Sequence, residues 1–104
     1  MKLITEEFIA TMKPYPLRSQ EHEKDPFVSA KFFNPVGGGT WFITEYDPAT
    51  KEAFCYVEGM DEDEFGYVSL EEMESVKLPL CLTIERDLHF RPCRLSDCSN
   101  FKPE

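Results

Sequence analysis

A chain of 104 residues with 41% hydrophobic and 30% charged side chains is long enough for one domain with a modest core, and its nine Phe, four Tyr and one Trp exclude a disordered polymer. The net charge of −9 disfavours direct binding to nucleic acid or to an anionic membrane, since those surfaces carry the same sign. No apolar run approaches the roughly 20 residues of a membrane-spanning helix, and the opening MKLITEEF meets acids before any signal-like apolar region, so a cytoplasmic location is expected.

Thr5 is placed to cap a short helix through EEFIATM, with Glu6 and Glu7 where the helix dipole favours negative charge. Pro14 and Pro16 stop that helix. The polar RSQEHEKDP that follows reads as an exposed loop, with His22 as plain surface. Three strand-like runs come next, FVSAKFF, TWFITEY and EAFCYVE, separated by the turn-forming NPVGGG and DPATK. A fourth, FGYVSL, leads into SLEEMESV, where Ser69 and Glu72 have the spacing of a capping box and Pro79 limits the helix. The segment LCLTIERDLHFRP reads as extended, and SNFKPE as a fraying end. Together these elements predict a single α+β domain over residues 1–104, a small antiparallel β-meander of about four strands with two short helices packed on it.

TWFITEYD, EFGYVSLEEMESV and IERDLHFRP, in that order, resemble the bacterial Domain of Unknown Function 2958 family, and the resemblance runs from Leu3 to Pro92. It implies a small accessory protein of plasmids, conjugative elements or phages, without an assigned reaction. The family's polar motif positions fall on Glu45, Glu64, Gly66, Tyr67, Glu85, Arg86 and Asp87. The cysteine-bearing tail and the length of the acidic run depart from the family pattern.

Charge is concentrated. Residues 45–74 hold eleven carboxylates against the single base Lys51, and so carry −10, leaving the remainder of the chain close to neutral. Part of that stretch imitates a calcium loop: Asp61, Asp63, Gly66 and Glu72 occupy the first, third, sixth and twelfth positions of an EF-hand. Phe65 stands at the fifth position without an oxygen ligand, and no entering helix precedes the loop, so calcium is not expected.

Cys81, His89, Cys93 and Cys98 supply ligand types suited to tetrahedral zinc, but only Cys93 and Cys98 approach the spacing of a zinc knuckle. Reduced free thiols are the plainer reading, with Cys55 in a strand core, and neither metal nor cofactor is expected. Glu85, Asp87 and His89 alternate, so an extended backbone would project them to one face with Arg86 opposite. That cluster could do acid–base chemistry. It could equally form a structural network in which Arg86 bridges carboxylates such as Glu45 or Glu64. No nucleophile motif or phosphate loop accompanies it, and the network is the favoured reading. Trp41, Phe42, Phe32 and Phe33 are read as core, not as a stacking platform for single strands.

The functional expectation is a non-catalytic protein-binding module. Asp61, Glu62, Asp63, Glu64, Glu71 and Glu74 would meet a basic surface on a partner protein such as a nuclease, in the manner of an anti-restriction or anti-CRISPR inhibitor. Glu45, Tyr67, Glu85, Arg86, Asp87 and His89 would form the polar network of the family motifs. Two alternatives stand beside this one: a small enzyme or enzyme regulator using Glu85, Arg86, Asp87 and His89, and a conjugation accessory holding a partner through exposed aromatics.

Overall fold

The computed structural model describes residues 2–104. Helix α1 (Glu6–Met12) begins where Thr5 accepts the N–H of Phe8, and ends just before Pro14. Strand β1 (Phe27–Val28) is followed after Ser29 by β2 (Ala30–Phe33), so the single run expected over residues 27–33 is broken. The cause is a change of partner: β1 pairs with β7 (Cys93–Arg94), whereas β2 joins the main sheet. The long hairpin β3 (Thr40–Asp47) and β4 (Glu52–Glu58), then β5 (Glu64–Ser69), complete the expected meander.

Ser69 caps α2 (Leu70–Ser75) by accepting the N–H of Glu72, as its spacing predicts. A 3-10 turn follows at Pro79–Cys81, then β6 (Glu85–Arg86) and, after β7, a third short helix α3 (Leu95–Cys98). The main sheet is antiparallel, in the order β5-β4-β3-β2-β6. The domain is α+β, with one more main-sheet strand, one more small sheet and one more helix than the sequence indicates.

The sheet buries both faces. Phe32, Ile43, Tyr46 and Cys55 face α1 and α2, where Leu3, Phe8, Met12, Leu70 and Met73 close the larger core. Phe42 and Tyr56 face the other way and pack with Val28 and Leu95 of the β1, β7 and α3 unit. The tail is therefore part of the packing. Phe101 sets its ring 5.4 Å from that of Tyr56 and 5.3 Å from that of Phe65, which corrects the expectation of a fraying end. Asp25 secures the same unit, accepting from the Ser96 N–H and hydroxyl at 2.9 and 2.6 Å.

The bulge in β3 decides what the second face presents. Phe42 pairs with Tyr56 and Ile43 with Cys55, but the register slips at Thr44 so that Glu45 lies opposite Phe54. One inserted residue returns Glu45 to the face shared by Phe42, Phe54 and Tyr67, which strict alternation would have denied it.

Candidate functional site

The acidic stretch splits into structural and free carboxylates. Glu74, expected on an outer face, turns inward, and its Oε2 accepts the N–H groups of Leu3 and Ile4 at 2.7 Å each. Asp63 closes the β4–β5 turn by accepting the Gly59 N–H at 3.1 Å. Glu71 pairs with Lys51 at 3.0 Å, which raises the lysine's proton affinity through that hydrogen bond and charge. Asp61, Glu62 and Glu64 are exposed and, among the described residues, form no ion pair.

The acidic turn is held at a fixed place. Gly59 takes φ +81, and a Cβ on Gly38 would fall 2.2 Å from the Gly59 carbonyl oxygen, so the tips of the two hairpins touch backbone to backbone. Directly after the turn, β5 forms one edge of the main sheet. Its Phe65 is 37% exposed and its Tyr67 55%. They belong to an aromatic row in which Phe54 lies 5.7 Å from Phe65 and 4.8 Å from Tyr67.

Two depressions flank this edge, one on each face. A 240 Å³ concavity on the aromatic side includes Arg18, Glu21, Glu45, Phe54, Phe65 and Tyr67. Its floor is the buried Glu45, whose two oxygens accept the backbone N–H groups of Arg18 at 2.7 Å and Gln20 at 2.9 Å. Gln20 is itself buried and exchanges hydrogen bonds with the Phe27 backbone while donating to the Thr44 carbonyl. On the rim, Arg18 and Glu21 pair at 2.8 Å, and that bond lowers the Glu21 pKa and raises that of Arg18. The opposite depression, 330 Å³, runs along Trp41, Val57, Gly66 and Val68 to the acidic turn.

The segment around Arg86 does not gather as alternation suggests. Extended structure stops at Arg86, because Asp87 starts a turn: its carboxylate accepts the His89 N–H at 2.9 Å and its carbonyl the Phe90 N–H. Arg86 Nη1 donates to Thr5 Oγ1 at 2.9 Å, toward α1, and not to Glu45 or Glu64. Asp87 faces Lys31 at 3.8 Å, and His89 is exposed. Arg86 and Asp87 share a 340 Å³ concavity with Glu7 and Ser29, while Glu45 lies in another. Glu85, paired with Phe33, lines neither.

Among the described residues, Cys81, His89, Cys93 and Cys98 do not form a group of three or more ligands around a common centre. Burial, and then the neighbouring Cys93, push the Cys98 thiol up to about 12. Gln20 was missed from sequence, since it sits in a charged run that gives no sign of burial. An acid inside the apolar run TWFITEY was the available signal for its partner Glu45.

The site thus belongs to a small α+β domain with an open, acidic and aromatic sheet edge, and no helix of the described residues is long and apolar enough to cross a membrane. The chain belongs to the family described as protein of unknown function (DUF2958), whose model matches residues 3–100. No curated protein and no solved structure matches it.

Proposed function

We propose that the protein is a non-catalytic binding module of a bacterial mobile genetic element, working in the cytoplasm, that occupies a basic, nucleic-acid-binding surface of a target protein. A host nuclease of the restriction or CRISPR kind is the target class that suits such an element. The observation that carries this reading is the union of free carboxylates at Asp61, Glu62 and Glu64 with the exposed rings of Phe65 and Tyr67 on one fixed hairpin. Carboxylates steer a basic partner and set its register, while aromatic area supplies short-range affinity. An enzyme or enzyme regulator built on Glu85, Arg86, Asp87 and His89 has less support, because those four side chains diverge.

The test is retention of proteins from a bacterial lysate at low and high salt, beside a variant carrying Asp61→Lys, Glu62→Lys and Glu64→Lys. Asp63 and Glu74 stay in place because their bonds hold the turn and the N-terminal segment. Capture of a nucleic-acid-handling protein, lost on both salt and charge reversal, is the expected result. A partner retained through both treatments would refute the electrostatic reading.

A further inference from the structure

We infer that the open edge of β5 accepts an extended basic segment of the target protein as a sixth strand of the main sheet, a proposal that rests on the acidic-module reading above and specifies how the partner is held.

The backbone pattern comes first. Leu70 donates its N–H to the Lys51 carbonyl, one step beyond the Glu52/Ser69 pair. Antiparallel pairs alternate between bonded and non-bonded, so Ala53/Val68, Cys55/Gly66 and Val57/Glu64 are the bonded ones. The N–H and C=O groups of Phe65 and Tyr67 therefore point away from β4, to the side where the described residues place no further strand. These are also the two residues of β5 with exposed rings.

The flanking surface is shaped for alternating side chains. A strand laid on this edge sends successive side chains to opposite faces. One set meets Phe65 and Tyr67, whose ring faces attract a cationic side chain. The other set meets the trough between Trp41, Val57 and Val68, which Gly66 leaves open because nothing lies within 4 Å of where its Cβ would be. That trough suits a small apolar side chain.

Charge selects the occupant. Asp61, Glu62 and Glu64 stand at one end of the edge, and Glu72 follows β5 at the other, beside the Glu71 carboxylate that Lys51 already pairs. A second copy of the chain, itself at −9, would bring the same acids against them, whereas a segment bearing Lys or Arg finds opposite charge at both ends.

The probe is an acetylated eight-residue peptide of alternating Lys and Val, compared with a peptide of the same sequence N-methylated at the backbone nitrogen of every Lys, the residues that would face Phe65 and Tyr67 in the added strand. Both carry the same charge, but one edge of the methylated peptide cannot donate hydrogen bonds. Binding and amide hydrogen exchange are followed at low salt on the intact protein. The expected result is protection of the Phe65 and Tyr67 amides by the unmodified peptide, and about tenfold weaker binding of the methylated one. Equal, salt-sensitive binding of both peptides without that protection would overturn strand addition and leave the acidic reading standing. Binding of neither peptide would remove both. Protection of Phe65 and Tyr67 that grows with protein concentration alone would assign the edge to a second copy and overturn the basic segment as its occupant.

Discussion

The Glu45 carboxylate accepts the backbone N–H of Gln20 at 2.9 Å, so a central strand holds a loop that precedes it by 25 residues. Its other oxygen takes the N–H of Arg18, whose φ of 74° turns the chain back toward the sheet. Both oxygens are occupied by donors, and a Gln side chain offers only one acceptor in that place. Glu45→Gln therefore leaves a backbone donor without a partner and costs about 1–3 kcal/mol in urea unfolding. Glu21→Gln on the exposed rim should shift the midpoint far less than Glu45→Gln, because its ion pair with Arg18 is screened by solvent. Equal midpoints for Glu45→Gln and the parent chain would show that the latch contributes nothing.

Glu74 plays the same part for the other end of the sequence. Removing it in Glu74→Ala frees the Leu3 and Ile4 N–H groups, and with them a Leu3 side chain that is fully buried. We expect faster amide exchange at both positions and a loss of about 1–3 kcal/mol. Glu71→Ala breaks only an exposed, solvent-screened pair with Lys51 and should have a much smaller effect than Glu74→Ala. Similar effects from the two substitutions would contradict this division of the acidic helix.

Burial pushes the Cys55 thiol from an ordinary 9.0 up to about 12. The folded chain then keeps this proton at pH values where the unfolded chain releases it. The stability it contributes is complete below pH 9 and is lost as pH rises from there toward about 12. Cys55→Ala should cost about 1 kcal/mol at neutral pH and show a shallower decline above pH 9 in reducing buffer. Parallel stability curves for the two proteins would refute the assignment.

Two glycines should respond in opposite ways. Gly38→Ala drives a methyl group against the Gly59 carbonyl, and separating the hairpin tips should cost about 1–3 kcal/mol. Gly66→Ala meets open space and should leave stability within about 0.5 kcal/mol. Thermal unfolding of both variants separates them directly.

Local chemistry was readable in the sequence, and long-range partnership was not. Thr5 and Ser69 announce their helices because a cap is satisfied within three residues. The meander from β2 to β5 is likewise legible, since alternation and turn residues specify neighbours in sequence. The break at Ser29 left no mark, because nothing local in FVSAKFF requires a change of partner there and the pairing of Val28 is made by Cys93, far along the chain. The β3 bulge hid for a similar reason: an inserted residue is known only by its partners, and Thr44 looks the same in either register. At the candidate site, the acids and Tyr67 could be named in advance. Which of them were committed to bonds with Leu3, Ile4 and Gly59 depended on packing that no composition records.

The sheet is completed late in the sequence. Phe32 and Phe33 of β2 find their outer neighbours only at Arg86 and Glu85, and Val28 waits for Cys93. A chain emerging from the ribosome would carry the finished β2–β5 meander with β2 still an uncovered edge, the aromatic pair at its tip waiting for residues made last. Covering of the β2 edge thus waits on contacts of large sequence separation, which close slowly, and the interval before they form is when KFF is most able to pair with the wrong chain.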